Sequence, residues 1–133
     1  MNPHYPQVAL RAGHRCEYCH APEAVFNLPL EVEHIVPVTR GGVDTTTNRA
    51  LACRSCNLYK AAHVSGRDPD SDAVVRLFHP REDQWEDHFQ VAPESGKIVG
   101  RTPIGRATVI RLGINSAAQV AARQQWMRLG LFP

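Results

Sequence analysis

The sequence contains no long apolar run. No stretch of its 133 residues reaches the length of a membrane-spanning helix, and the opening MNPHYPQVALRAG lacks the apolar centre of a secretory signal peptide. Internal repeats, low-complexity segments and a linker long enough to separate two domains are also missing. We therefore expect a cytoplasmic protein that forms a single domain over residues 1–133, does not bind membranes and keeps its cysteines reduced.

Neither sign of charge is in large excess. The chain has 15 lysines and arginines against 13 aspartates and glutamates, which gives a net charge of +2. This small surplus permits a nucleic-acid partner without requiring one. Because there is no long basic arm and no basic recognition helix, we expect little sequence specificity from such a partner surface.

Cysteine is scarce, and its placement is informative. The four cysteines form two CxxC pairs, Cys16-Glu-Tyr-Cys19 and Cys53-Arg-Ser-Cys56. Two pairs at this spacing can wrap one tetrahedral Zn²⁺ with four thiolates. Disulfide or redox chemistry is the alternative, but neither pair lies in the βαβ context of a thiol oxidoreductase. The spacing predicts one structural zinc ion per chain.

The region around these pairs predicts a strand, a long loop, a second strand and a helix. β-branched residues favour a strand over 30–38, where Pro37 ends regular pairing. A second short strand over 49–53 leads into the second pair, and Ser55 can cap a helix that follows.

The second half carries fewer chemical motifs and predicts a hairpin and helices. These elements most simply cover the apolar back of the first unit. They are a helix or strand over 71–78, a turn or short helix over 80–85, a hairpin of 89–91 with 98–100, a helix that Thr102 caps and that ends near Gly113, and a last helix that Asn115 caps and Gly130 closes.

A titratable pair, Glu33-His34, interrupts the first predicted strand. Burying a polar group without a partner costs about 2–7 kcal/mol, so a partner or a metal ion must compensate. A lone histidine on an apolar strand is usually a core residue, but the motifs on both sides of this one favour a functional role. Because the ordinary pKa of a histidine side chain is ~6.5, it can accept a proton near neutral pH.

Residues 14–62 resemble the HNH endonuclease family. The resemblance rests on CEYC, on EHIVPVTRGG with Asn48 after the loop, and on CRSCNLYK, in this order and at this spacing. It implies an α+β fold in which a zinc-clamped ββα-metal unit, about residues 14–66, is covered by the segment 67–133. The four cysteines match the structural zinc site of one branch of the family.

The resemblance also implies roles for single residues. His34 matches the general base, and Glu33 matches the acidic residue that binds the catalytic divalent metal. Asn48 matches the asparagine that ties the loop together and orients the histidine, and Asn57 matches the second metal ligand. Two oxygen ligands leave open positions for water and phosphate, which suits Mg²⁺ or Mn²⁺.

Several basic residues are candidates for contacts with the substrate. Asn57 and Lys60 are three residues apart on the predicted helix, so both are expected to face the same phosphate. Arg40, Arg54 and His63 are further candidates, although a solvated surface is an equal alternative for the two arginines.

The sequence therefore predicts a metal-dependent endonuclease that hydrolyses, by nicking, the phosphodiester bonds of DNA. It leaves open whether the DNA is duplex or single-stranded. The alternative is a zinc-stabilised module that binds nucleic acid without cleaving it. The set Glu33, His34 and Asn57 distinguishes the two, because a binding module needs no base beside two oxygen ligands.

Overall fold

A two-stranded antiparallel sheet lies at the centre of the N-terminal half. The computed structural model describes residues 1–133. The elements of this half are α1 (Tyr5–Arg11), β1 (Glu31–His34), β2 (Arg49–Ala52) and α2 (Arg54–Lys60). In the sheet, Glu31 lies opposite Ala52 and His34 lies opposite Arg49. The predicted order of strand, loop, strand and helix is confirmed, but β1 is shorter than predicted because Ile35 and Val36 hydrogen-bond to Asn48 instead of to β2.

Helix α2 begins directly at the second cysteine pair. Its N-cap is Cys53, whose Sγ accepts a hydrogen bond from the Cys56 N–H at 3.4 Å. The predicted cap, Ser55, already lies inside the helix. The sulfur takes the position of the usual hydroxyl or carboxylate cap because the CxxC turn and the first helical turn are the same piece of backbone.

Two further hairpins and three helices make up the second half. They are β3 (Ser65–Arg67), β4 (Val74–Arg76), α3 (Trp85–His88), β5 (Phe89–Ala92), β6 (Lys97–Gly100), α4 (Pro103–Arg111) and α5 (Ala117–Arg128). The predicted hairpin is confirmed as β5–β6. Thr102 caps α4 as predicted, since its hydroxyl accepts from the Gly105 N–H at 3.0 Å. The cap of α5 is Ser116 and not Asn115.

The hairpin β3–β4 does not follow from the sequence pattern. Ser65-Gly66-Arg67 has no strand-forming side chain, and the segment 71–78 is compatible with either helix or strand. Asp68, directly after β3, is completely buried and accepts from Arg106 Nε at 2.8 Å and from Arg106 Nη2 at 3.0 Å. This contact joins the hairpin to α4.

One hydrophobic core joins the two halves. A cluster of 21 buried residues contains all four cysteines together with residues such as Phe78, Phe89 and Ile98. Trp85 of α3 donates from Nε1 to the Tyr18 carbonyl at 2.9 Å, and its ring stacks on His20 at 4.0 Å. The fold is α+β, as the sequence predicts. None of the helices has both the length and the apolar character needed to cross a membrane.

Candidate active site and metal cluster

The four cysteines meet at one buried point between β2, α2 and the N-terminal loop. All are free thiols, and their sulfur atoms lie within 4.8 Å of one another. Cys19 Sγ and Cys53 Sγ are 3.7 Å apart. That separation is too long for a disulfide bond, and it agrees with the ~3.8 Å between two sulfurs that each lie about 2.3 Å from one tetrahedral zinc ion. The cluster could therefore hold a metal ion, and its geometry suits zinc.

The protonation of the four cysteine thiols is coupled to metal binding. Hydrogen bonding to Cys16 and Cys53, together with burial, raises the pKa of both Cys19 and Cys56 well above its usual value. Hydrogen bonds from the other three cysteines lower the pKa of Cys53. A metal ion binds thiolates, so loading the cluster has to release protons. Metal affinity should consequently fall as the pH is lowered.

His34 points towards solvent and is held by a carboxylate. Its side chain is 38% exposed, and its Nε2 lies 2.9 Å from Asp44 Oδ1. The same Oδ1 accepts from Arg49 Nη2 at 3.0 Å. The contact with His34, and secondarily that with Arg49, lowers the pKa of Asp44. An ionised Asp44 can only accept a hydrogen bond, so the His34 ring must carry a proton on Nε2. In a neutral His34 ring, the free lone pair is then on Nδ1.

Asp44 was not identified from the sequence. The one available signal was its position in the turn after Gly41-Gly42, where an aspartate is ordinary turn chemistry. Its contact with His34 depends on the loop between β1 and β2 folding back over the end of β1.

Asn48 holds that loop in place. Its Oδ1 accepts from the Val36 N–H at 2.9 Å, and its Nδ2 donates to the carbonyls of Val36 at 2.9 Å and Val43 at 2.8 Å. The turn requires two glycines: Gly41 has a φ of 83°, and a Cβ on Gly42 would collide with the Val36 carbonyl. The side chain thus lies where the predicted loop-tying role needs it.

Glu33, His34 and Asn57 line one open cleft of 310 Å³. Asn57, on α2, donates from Nδ2 to Glu31 Oε1 at 2.8 Å. Glu31 in turn accepts through Oε2 from Arg54 Nη1 at 3.0 Å. The structure therefore brings the predicted base and both predicted metal ligands to the same cleft.

Glu33 borders the same cleft, but its carboxylate is engaged by side chains of the interior. Its side chain is only 6% exposed, with Oε1 bound to the Tyr18 hydroxyl and Oε2 accepting from Lys60 Nζ at 3.0 Å. Burial raises the pKa of Glu33, while Lys60 and Tyr18 act in the opposite direction. Each oxygen is bound to a buried partner that a metal ion would have to displace, so the carboxylate fits the predicted role of metal ligand poorly. Lys60 and Tyr18, rather than a metal, compensate for its burial in β1.

Lys60 is also buried, which contradicts the predicted phosphate contact. Its side chain is 2% exposed, and its Nζ donates to Glu33 and, at 3.3 Å, to the His34 carbonyl. Asn57 and Lys60 do lie on the same side of α2, but that side faces β1. Asn57 reaches the open edge, whereas Lys60 lies beneath the sheet.

The other predicted substrate contacts lie on the outside. Arg40 is exposed and donates from Nε to the Ala62 carbonyl at 2.6 Å. The Arg54 side chain is 71% exposed. His63 is half-buried, and its ring makes no hydrogen bond within the chain. These three residues remain candidates for contacts with a substrate.

Comparison with known proteins gives a match over the same region. A family model described as HNH endonuclease matches residues 16–62, from the first cysteine to just beyond α2. No curated protein matched the chain. No solved structure matched it either.

Proposed function

We propose that the protein is a metal-dependent endonuclease that hydrolyses phosphodiester bonds of DNA, because residues 16–62 match the family model described as HNH endonuclease. One observation carries the proposal: His34, fixed by Asp44, opens onto the cleft that Asn57 also lines. A nucleic-acid strand is too large to enter a buried pocket. A general base at the edge of an exposed cleft can reach such a strand when it lies across the surface.

His34 takes the proton from the attacking water. The contact between Nε2 and Asp44 keeps the ring in the tautomer whose Nδ1 is free to accept that proton. As the ring becomes positively charged, the ionised Asp44 stabilises it. Asn48 supports this arrangement from behind, since it holds the loop from which Asp44 projects.

Exposed arginines provide the phosphate contacts. Arg40 and Arg54 lie at the two ends of the β1–α2 region and can bind backbone phosphates without reading bases. We therefore expect nicking with little sequence specificity. Mg²⁺ or Mn²⁺ would supply positive charge at the phosphate and at the leaving oxygen.

The cysteine cluster has a structural role in this proposal. Zn²⁺ bound by Cys16, Cys19, Cys53 and Cys56 has no open position for a substrate, because four thiolates complete its tetrahedron. Four reduced thiols also suit a reducing compartment, so a cytoplasmic location belongs to the same proposal.

A plasmid-nicking assay tests this function. Supercoiled DNA is incubated with the zinc-loaded chain in Mg²⁺, in Mn²⁺ and in EDTA, and the wild type is compared with His34→Ala. We expect nicking that requires a divalent ion and falls ~10²–10⁴-fold in the variant, the usual contribution of a general base. Zinc content and thermal stability should not change, because the imidazole is partly exposed.

His14→Ala is the matched control. His14 is likewise an exposed histidine in contact with a carboxylate, Glu23, at 2.8 Å, but it lies outside the cleft. Its loss should leave nicking unchanged. If folded His34→Ala cuts at the wild-type rate, the mechanism is wrong. If the wild type binds DNA but cuts it in neither ion, the chain is the non-catalytic binding module.

A further inference from the structure

The family resemblance implies that Glu33 binds the catalytic metal. In the structure its carboxylate instead binds the Tyr18 hydroxyl and the Lys60 ammonium. Tyr18 and Lys60 engage its two oxygens on the buried side of β1. A cation that took their place would leave the Lys60 ammonium buried without a partner, which costs several kcal/mol. The disagreement makes Glu33 a poor ligand for an exchangeable ion.

Glu31 offers a carboxylate on the same face of β1, nearer to solvent. Residues two apart on a strand point to the same side, so Glu31 and Glu33 both face α2. Glu33 reaches Lys60 in the interior, whereas Glu31 reaches Asn57 at the edge. The Glu31 side chain is 31% exposed, which leaves room for water and phosphate on the outer side of an ion.

The spacing between Glu31 and Asn57 suits two adjacent ligands of Mg²⁺ or Mn²⁺. Asn57 Nδ2 lies 2.8 Å from Glu31 Oε1. A half-turn of the amide brings Oδ1 to the position of Nδ2, so the two oxygens would be separated by a similar distance. Adjacent ligands of an octahedral Mg²⁺ at 2.0–2.1 Å are about 2.9 Å apart.

A cation already lies against this carboxylate. Arg54 Nη1 is 3.0 Å from Glu31 Oε2, but the arginine side chain is 71% exposed and is therefore weakly held. It can move away at little cost. Arg54 then competes with a divalent ion for the same carboxylate, and its removal should strengthen ion binding.

We propose that Glu31 and Asn57 are the protein ligands of the divalent ion, and that Glu33 is a structural partner of Lys60. This assignment rests on the proposed nuclease function and gives its metal a different carboxylate. It also places the ion beside the cleft that Glu33, His34 and Asn57 line, because Asn57 borders the cleft and contacts Glu31, which itself lies outside it.

Binding of Mn²⁺ to the zinc-loaded full chain, without nucleic acid, tests the assignment. The electron paramagnetic resonance signal of free Mn²⁺ gives the affinity of each variant. We expect Glu31→Gln to weaken binding at least roughly tenfold, as for loss of a metal-supporting group, with zinc content and Tm unchanged. Arg54→Gln should instead bind Mn²⁺ more tightly than the wild type.

The double variant Glu33→Gln with Lys60→Met is the matched comparison. It removes the buried pair as a unit and leaves no unpaired charge, so the chain should still fold. We expect it to bind Mn²⁺ within about twofold of the wild type. Loss of binding in this variant, with wild-type affinity in Glu31→Gln, overturns the assignment and returns the ion to Glu33.

Failure of the assignment and failure of the nuclease function give different results. A chain that binds Mn²⁺ through Glu31 but nicks no plasmid supports the assignment and contradicts the proposed function. A Glu31→Gln variant with wild-type affinity for Mn²⁺ and wild-type nicking contradicts the assignment alone. Absence of Mn²⁺ binding by the wild-type chain also contradicts it.

Discussion

Glu33 and Lys60 form an ion pair from which water is almost completely excluded. Their side chains are 6% and 2% exposed, and Lys60 Nζ also bonds to the His34 carbonyl. Removing both charges from water is expensive, and their mutual attraction offsets that cost only while both are present. The pair therefore adds little net stability of its own. It holds α2 against β1 because separating the two charges would leave each one buried without a partner.

Replacing Lys60 alone should destabilise the chain strongly. We expect Lys60→Met to lower the free energy of unfolding by about 3–5 kcal/mol, since it leaves Glu33 buried and unpaired. Denaturant unfolding of the zinc-loaded protein measures the change. The salt dependence of DNA binding should stay as in the wild type. A Lys60→Met variant of normal stability whose DNA binding loses salt dependence would restore the predicted phosphate contact.

Asp44 should affect the rate far less than His34 does. The carboxylate is exposed, and exposed ion pairs are weak, so its loss should change the rate only roughly fivefold. We expect a loss of that size in Asp44→Ala, measured as the nicking rate with saturating Mn²⁺. Asp72→Ala is the control, because Asp72 is an exposed carboxylate paired with Arg67 and lies outside the cleft. Equal rates in the wild type and Asp44→Ala would show that Asp44 does not orient His34.

The sequence alone identifies the residues whose spacing is local. The two CxxC pairs and the order of His34, Asn48 and Asn57 can be read directly from the chain. The inward direction of Lys60 and the contact of Asp44 with His34 cannot, because each depends on how α2 or the long loop packs against β1. Alternation along a strand predicts that Glu33 and His34 face opposite sides. In the structure Glu33 is buried and His34 is partly exposed, yet both border the same cleft.

At the scale of elements, the β3–β4 hairpin depends on a charge contact with a distant helix. Arg106 of α4, then Ser71, hydrogen-bonds to Asp68 and lowers its pKa. A carboxyl whose pKa is lower in the folded state stabilises the fold above its unfolded pKa of ~3.9. That contribution is lost as the pH falls below this value towards the lowered folded pKa.

Asp68→Asn should therefore change both stability and its pH dependence. We expect its Tm at neutral pH to fall by several degrees, and the difference from the wild type to shrink as the pH is lowered below ~4. Thermal unfolding at a series of pH values measures this. Asp70→Asn is the control, since Asp70 contacts the same Arg106 at 3.1 Å but is 68% exposed. A constant difference at all pH values would contradict the assignment.

Helix boundaries show why some element predictions were wrong. Asn115 is a good N-cap by residue type, yet its side chain accepts from the Ile98 N–H at 2.9 Å and donates to the Ile98 carbonyl at 2.7 Å. It is engaged with β6, so Ser116 caps α5 instead. Both residues satisfy the local rule, and only the long-range pairing decides between them.

At the scale of the whole molecule, the cysteine cluster and the hydrophobic core are continuous. The four cysteines belong to the same buried cluster as Phe78, Phe89 and Ile98. In small peptides the binding free energy of structural zinc is about 10–16 kcal/mol, and it is also folding free energy. Loss of a bound zinc ion should consequently affect the C-terminal helices as well as residues 16–62, which match the HNH endonuclease model.

Zinc removal should unfold the chain as one unit. We expect one zinc ion per chain by elemental analysis, and loss of helical circular dichroism after treatment with a strong chelator. Cys53→Ser should have the same effect, while Ser55→Ala, between the two cysteines of the second pair, should retain zinc and fold. Purified protein with intact disulfides, or a metal-free chain with full helicity, would contradict the structural role.

The contact between Trp85 and the first cysteine pair gives the chain a built-in optical probe. The indole hydrogen-bonds to the Tyr18 carbonyl and stacks on His20, the residues on either side of Cys19. Tryptophan emission shifts to longer wavelength when the ring enters water. Fluorescence at Trp85 should thus report the state of the cysteine cluster, and Trp126, packed near Phe132, should report the C-terminal end of the core. Trp85→Phe and Trp126→Phe would separate the two signals during a chelator titration.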